Sequence, residues 1–184
     1  MAIDPLYCSL LSTTVDLKLT EEVDVEEKPI VYFAYGATMN QDLLEAKVKK
    51  VKFIGKGVLM HFQLNFAKTK VDRTAKATII PNRYHVVEGA IYHLTTDQLK
   101  KLDQSKKSPQ FRNRVNMYVK RKITGPDILV ELHAFDFEQG KNYSPPQAKY
   151  LQLMLKGAQK IGVTTLYYQY LQSHVLLAKH KSKL

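Results

Sequence analysis

The side chains of this chain that could do chemistry are its histidines, its single cysteine and its carboxylates, and their spacing excludes the common catalytic motifs. No histidine pair has the spacing of a metal-binding helix, and Cys8 stands alone, so we expect no metal site and no other cofactor. The sequence has no glycine-rich phosphate loop and no Gly-x-Ser-x-Gly elbow. We expect structural or exposed roles for the histidines, which are His61, His85, His93, His133, His174 and His180.

The elements that must position any site begin with a compact apolar run, Val31 to Tyr35, which ends at Gly36. This pattern predicts a buried strand stopped by a tight turn. A short helix is predicted next, over residues 40–47, with Leu43 and Leu44 facing inward. Further strand patterns follow at residues 59–66, 77–80, 86–94, 114–122 and 128–137, with Pro81-Asn82 and Gly125-Pro126 as turns.

Helical patterns occur at two places after the first strands. Thr95 or Thr96 can cap a short helix whose Leu99 and Leu102 face inward. Three-and-four spacing after Pro145-Pro146 predicts a longer helix, and a second follows from a cap at Thr164 or Thr165. The inner face of that second helix is predicted to carry Leu166, Tyr170, Leu171 and Val175. Strands followed by helices predict an α+β fold: a small, mixed, barrel-like body of five to seven strands, with short helices and two C-terminal helices.

The charged residues are distributed unevenly along the chain. The net charge is +11, but residues 1–28 carry seven acids against two lysines, which leaves +16 on the remainder. We therefore expect an acidic N-terminal extension over residues 1–28, one folded domain over 29–178 and a basic tail over 179–184. Lysine outnumbers arginine, so nucleic acid is not the expected partner despite the basic body. No apolar run is long enough for a membrane span, and a cytoplasmic protein is expected.

Five blocks, in order, resemble the gamma-glutamylcyclotransferase-like family. The first, Val31 to Met39, is similar to the family signature Tyr-Phe-Ala-Tyr-Gly-Ser-Asn-Leu. The other blocks are Gly57 to Phe66, Ala77 to Ile79, Val87 to Asp103, and Tyr143 to Ala158, which includes a Pro-Pro-x-x-x-Tyr element. The resemblance covers residues 31–175 and implies that family's fold.

The resemblance also implies a reaction. In this family the α-amine of a γ-glutamyl group attacks its own γ-carbonyl, which gives 5-oxoproline and a free amine. One glutamate in the pocket would serve both proton transfers. Backbone N–H groups of the loop after the first strand would hold the substrate carboxylate or the developing oxyanion.

The sequence departs from the family at the residues that carry this chemistry. The family glutamate falls three residues after a Leu-Asp pair, and here that position is Lys106; a shift of one residue gives Ser105 or Lys107. Asp103, the nearest acid, belongs to the Leu-Asp pair and is a minor candidate for a substitute base. The resemblance implies a ligand-binding set in which Ala37, Thr38 and Phe111 replace serine, asparagine and tyrosine, and the full set is Tyr35, Gly36, Ala37, Thr38, Met39, Phe111 and Tyr143.

The sequence therefore predicts a family member with a small-molecule pocket and impaired catalysis. The expected ligand is a γ-glutamyl compound or another anion, because an amine at position 106 favours anions. Two alternatives stay open. One is an active γ-glutamyl cyclotransferase or related acyltransferase with a different base, including a desolvated Lys106 as base or nucleophile. The other is a non-enzymatic binding protein that uses its basic surface. The oligomeric state is not predicted.

Overall fold

Five strands close into a barrel in the computed structural model, which describes residues 28–68, 74–106, 113–135 and 140–181. The order around the barrel is β1-β3-β2-β4-β5; β1 pairs in parallel with β5, and the other pairings are antiparallel. The strands are β1 (Ile30–Ala34), β2 (Lys52–Ala67), β3 (Lys76–Leu94), β4 (Asn113–Lys120) and β5 (Asp127–Ala134). The expectations for residues 1–27, for Phe111 and for residues 136–137 fall outside the described ranges.

Four helices accompany the barrel in the described ranges. They are α1 (Gln41–Val48), α2 (Thr96–Lys106), α3 (Ala148–Ile161) and α4 (Thr165–Lys181), and a short 3-10 turn (Ala37–Met39) precedes α1. This architecture confirms the predicted α+β fold with two C-terminal helices. Helix α4 continues to Lys181, so its last turn includes the first residues of the predicted basic tail. No helix in these ranges is both long and apolar enough to cross a bilayer.

Successive side chains along β1 point to opposite faces of the sheet, so they contribute to two separate apolar cores. Phe33 is fully buried in a cluster built from alternate residues of all five strands together with α3 and α4. Tyr32 and Ala34 point the other way, into a second cluster that contains the buried Leu99 and Leu102 of α2. The predicted inward positions of α2 are thereby confirmed, and α2 is held against the outer surface of the barrel.

Side-chain caps fix where three helices begin. Asn40 accepts hydrogen bonds from the backbone N–H groups of residues 42 and 43, so it caps α1 and is not its first helical residue. Thr95 and Gln98 form a reciprocal capping box, with distances of 2.9 and 3.2 Å. The Thr164 hydroxyl accepts a hydrogen bond from the N–H of Tyr167 at 3.3 Å, and the N–H and hydroxyl of Thr164 both donate to the buried carboxylate of Glu88. The caps predicted at Thr95 and Thr164 are confirmed.

Two local predictions were wrong. Pro81 was expected to end a strand, but β3 runs through it, because Pro81 pairs with Phe62 beside a bulge where β2 already breaks register. At the bulge, His61 has a φ of 65°. Leu166 was placed on the inner face of α4, but it is 78% exposed, and Tyr167 takes the buried position. The cap at Thr164 fixes the rotation of the helix and turns residue 167 toward the barrel.

Helix α3 packs on the backbone of the turn that follows β1. A Cβ atom at Gly157 would lie 2.4 Å from the backbone nitrogen of Asn40 and 2.7 Å from the carbonyl carbon of Met39. No side chain fits in that space, so the contact requires glycine.

We predict that Gly157→Ala lowers the free energy of unfolding by about 1–3 kcal/mol, because the methyl group overpacks this contact. The sign of this change tests the close packing, because a glycine-to-alanine substitution inside a helix ordinarily raises the free energy of unfolding by up to about 1 kcal/mol. Chemical denaturation measures the change. The control is Lys156→Ala on the exposed face of α3, expected within about 0.5 kcal/mol of the parent. A Gly157→Ala variant as stable as the parent would contradict the close packing.

Candidate functional site

The predicted site lies where β1 and β5 end. Register pairs Tyr32 with Glu131, so the two parallel strands reach their last residues at the same level. The distal half of the β2–β3 hairpin reaches the same place: the Thr78 hydroxyl accepts a hydrogen bond from the backbone N–H of Phe135 at 3.1 Å. The turn after β1 is therefore bordered by three strands at one end of the barrel.

Gly36 lies directly against a tyrosine of α3. A Cβ atom at Gly36 would stand 2.9 Å from the Tyr150 hydroxyl and 3.3 Å from Cβ of Ala77. The Tyr150 hydroxyl accepts a hydrogen bond from the Ala77 N–H at 3.1 Å, and the Lys76 amine lies 5.0 Å from the centre of the Tyr150 ring. The φ of Gly36 is −104°, so close approach is what requires glycine here.

Tyr150 was not among the predicted site residues, although its hydroxyl lies against Gly36. The available signal was its place in the Pro-Pro-x-x-x-Tyr element of the fifth block.

The rest of the turn is buried and pinned by hydrogen bonds. Tyr35 is 4% exposed, and its hydroxyl donates to the backbone carbonyl of His133 at 2.5 Å. The Tyr92 hydroxyl donates to the carbonyl of Met39 at 2.9 Å. The side chains of Ala37, Thr38 and Met39 are also buried. A ligand at this turn would meet mainly its backbone, and the role of these four side chains in binding stays a prediction.

A buried polar network anchors α2 to the outer surface of the barrel. Asp103 contacts Nε2 of His133 at 2.7 Å through one oxygen and Arg114 at 3.3 Å through the other. Nδ1 of His133 lies 3.0 Å from the Tyr32 hydroxyl, and Arg114 also pairs with Glu131 at 3.1 Å. Both imidazole contacts are satisfied when Nε2–H donates to the carboxylate and Nδ1 accepts from the phenol. No local pattern in the sequence indicates that His133 has these partners.

Burial raises the pKa of Asp103, and the Arg114 guanidinium opposes that shift. Since both of its oxygens already bind partners, Asp103 acts as an anchor for α2, which disfavours it as a free base.

Lys106 is the last residue of α2 and is half-buried. It follows Asp103 by three residues, which places the two side chains on the same face of the helix. The anchor at Asp103 therefore also fixes the backbone that carries Lys106. Of the two shifted alternatives, the Ser105 hydroxyl donates to the Leu102 carbonyl at 3.0 Å, and Lys107 lies outside the described ranges.

Tyr143 lies in an aromatic group beside the turn. Its ring centre is 6.4 Å from that of His174, which also meets the rings of Phe66 and Tyr170 at 4.9 Å each. Phe66 pairs across the hairpin with Ala77, the residue that touches Gly36. Tyr143, which is 42% exposed, is thus at the predicted end of the barrel.

Both ring nitrogens of His174 are buried, and neither has a hydrogen-bond partner among the described residues. Burial lowers the pKa of this imidazole below its ordinary value of 6.5. His174 is therefore neutral, and its ring nitrogens have no hydrogen-bond partner among the described residues. We call the group formed by Phe66, Tyr143, Tyr170 and His174 the aromatic box. In the described ranges, no three His, Cys, Asp or Glu side chains group closely enough to hold a metal ion.

We predict that Asp103→Asn lowers the free energy of unfolding by about 1–3 kcal/mol, because asparagine has one acceptor oxygen in place of two. Either the buried His133 or the more exposed Arg114 then faces an amide N–H and loses its hydrogen bond. Thermal or chemical denaturation checks the value. Asp97→Asn on the same helix is the control, since the Asp97 side chain is 82% exposed and its ion pair with Lys100 lies at the surface. Equal stabilities of the two variants would show that the Asp103 network does not hold α2.

We predict that His174 makes the fold acid-sensitive. Its pKa is lower in the folded state than in the unfolded state, so the unfolded chain binds the proton more readily. The resulting loss of stability is absent well above pH 6.5 and grows as the pH falls below 6.5, until it levels off below the folded pKa. Denaturation midpoints measured from pH 8 to pH 5 should fall less steeply in His174→Phe than in the parent. The exposed His85→Phe should follow the parent, and identical slopes in all three proteins would exclude this role.

Comparisons with known proteins agree with the architecture. The model of the AIG2-like family matches residues 86–171, which include α2 and Tyr143. A comparison with curated protein sequences finds no match.

Among solved structures, one described as "Gamma-glutamyl cyclotransferase" has a TM-score of 0.70 at 20% identity, over 79% of this chain and 87% of its own. An uncharacterized protein from Homo sapiens, loc79017, has a TM-score of 0.69 at 21% identity, over 79% and 88% of the two chains. A yeast γ-glutamyl cyclotransferase described as specific to glutathione has a TM-score of 0.57 at 10% identity, over 82% and 96%.

At these identities the structural likeness shows a shared fold. Residues 86–171 match the AIG2-like family, and the described chain has the fold of the gamma-glutamylcyclotransferase-like proteins.

Proposed function

We propose that this protein binds a small γ-glutamyl compound beside the Gly36 turn and converts it to 5-oxoproline weakly or not at all. The observation that carries the proposal is the lysine at position 106, three residues after Leu102-Asp103, which the sequence resemblance matches to the family's acid–base glutamate. Relatives with this fold are described as γ-glutamyl cyclotransferases, one of them specific to glutathione, which suggests the ligand class.

The reaction needs a group that removes a proton from the substrate α-ammonium before attack on the γ-carbonyl. An unperturbed lysine amine has a pKa of about 10.4 and is a cation at neutral pH. It therefore cannot accept this proton, and it repels the substrate ammonium by about 4 kcal/mol at 4 Å in a surface-like environment.

The neighbouring carboxylate does not compensate for this loss. Asp103 is on the same face of α2, but its two oxygens bind His133 and Arg114. Using it as a base would require breaking a network that includes a fully buried histidine. This engagement argues against the alternative in which Asp103 replaces the missing glutamate.

The turn that would bind a ligand is held in place by hydrogen bonds, whereas the position that would move protons carries a lysine. The turn from Gly36 to Met39 is held by the Tyr35 and Tyr92 hydroxyls, so its backbone is already ordered before any ligand arrives. Preordered backbone groups lower the entropic cost of binding. The amine of Lys106 would add attraction for a carboxylate, which supports binding of an anionic ligand without turnover.

We predict that Lys106→Glu raises the rate of 5-oxoproline release from γ-glutamyl dipeptides by roughly 10²-fold or more over the parent, because a positioned acid–base group contributes about 10²–10⁴-fold. Chromatographic detection of 5-oxoproline measures the rate. The control is Lys101→Glu, which makes the same change of charge on the exposed side of α2 and should leave the rate unchanged.

An unmodified protein that already turns over γ-glutamyl dipeptides at an ordinary enzymatic rate would refute the proposal. An equal gain from Lys101→Glu would show that net charge, and not position 106, controls the reaction.

A further inference from the structure

The aromatic box contains a polar group, the imidazole of His174, that has no hydrogen-bond partner among the described residues. Both nitrogens of His174 are buried, and neither makes a hydrogen bond in the described part of the chain. The neighbouring Tyr170 hydroxyl donates its proton to the Leu64 carbonyl at 2.9 Å. Buried polar groups are nearly always paired, so an unpaired one needs a physical reason. One such reason is a ligand that supplies the missing hydrogen-bond partner. The position of the box next to the Gly36 turn favours this explanation.

The box and the Gly36 turn are neighbours across one strand pair. Ala77 touches Gly36 on one side and pairs with Phe66 on the other, and the Phe66 ring lies 4.9 Å from the His174 ring. The Ser144 N–H donates to the Phe66 carbonyl at 2.8 Å, which fixes the segment that carries Tyr143 at the same place. Directly paired residues have side chains about 5 Å apart, so the turn and the box lie within the length of one small molecule.

We infer that the box receives the amine portion of the bound γ-glutamyl compound, and that this portion is uncharged, carries a ring and ends in a hydroxyl that pairs with His174. This inference rests on the proposed function, because the γ-glutamyl portion would be held at the turn.

The chemistry of the walls selects this ligand class. Phe66, Tyr143 and Tyr170 offer ring faces and edges, which favour an aromatic group over an aliphatic ammonium or carboxylate. A neutral imidazole has one donor and one acceptor nitrogen, so it can both give and take a hydrogen bond from a hydroxyl. The titratable groups that face His174 are the Tyr143 and Tyr170 phenols, which are uncharged at neutral pH. The nitrogens of His174 are covered in the free protein. Tyr143 is the most exposed ring of the box, so entry of a ligand requires a rotation of the Tyr143 side chain.

Two ligands that differ by one hydroxyl test this pairing. We expect γ-glutamyl-tyramide to bind the parent protein roughly 5-fold to 10-fold more tightly than γ-glutamyl-phenethylamide, because one added hydrogen bond is worth about that much. His174→Phe should remove this difference while leaving the affinity for the phenethylamide nearly unchanged. His85→Phe, at an exposed histidine, should keep the difference. Isothermal titration calorimetry at pH 7.5 measures all affinities.

The third probe, γ-glutamyl-methylamide, separates this inference from the function on which it rests. If the methylamide binds but the two aromatic amides do not, or if His174→Phe keeps the preference for the hydroxyl, the box is not the amine subsite and the inference fails alone. If none of the three compounds binds, the proposed function fails as well. Tyr143→Ala provides a second variant: it should weaken both aromatic amides several-fold and leave the methylamide unaffected, and an equal effect on all three would also overturn the inference.

Discussion

The structure depends on a backbone-to-backbone fit between α3 and the turn that follows β1. Gly157 has no side chain, so the helix backbone can lie against Met39 and Asn40, and Gly36 has none, so the Tyr150 hydroxyl can reach the N–H of Ala77. Two contacts of this kind on one helix fix both its distance from the turn and its rotation. Hydrogen bonds from Tyr35 and Tyr92 then hold the turn from the other side. The turn is therefore shaped by the fold and does not need a ligand to order it.

His133 connects this turn to the helix that carries Lys106. Its side chain binds Asp103 of α2, and its backbone carbonyl accepts the Tyr35 hydroxyl at the end of β1. A buried imidazole without its partners would cost free energy, so the network holds α2 in place whatever residue stands at its last position. Lys106 is three residues past Asp103 on the same helix. On the proposed function, a change of charge at position 106 alters the chemistry of the site, while the contact between Asp103 and His133 still holds α2.

Much of the fold could be predicted because its signals are local. Strand alternation, the caps at Thr95 and Thr164, and the spacing after the proline pair each depend on a few adjacent residues. The two wrong predictions concern places where contacts between distant residues determine the local structure. The bulge in β2 allows β3 to continue through Pro81. Thr164 is bonded to Glu88 at the start of α4, where Tyr167 is buried and Leu166 is exposed. The site was harder still. Tyr32 and His133 are 101 residues apart, and no pattern within either strand announces their contact. Tyr150 and His174 also act through partners far away in the sequence, and only Tyr150 lay in a block with a recognisable motif.

On the proposed function, the sign of the charge at position 106 affects how a γ-glutamyl compound lies in the site, as well as whether a base is present. The γ-glutamyl group carries an ammonium and a carboxylate on the same carbon, so a cation beside it attracts one and repels the other. An ammonium at Lys106 favours the orientation in which the α-carboxylate is near and the α-amine is turned away. Ring closure needs the opposite arrangement, with the amine deprotonated and directed at the γ-carbonyl. On the proposed function, one substitution therefore removes the proton acceptor and stabilises an unreactive pose, and a site of this kind retains affinity for a substrate-like ligand while losing the reaction.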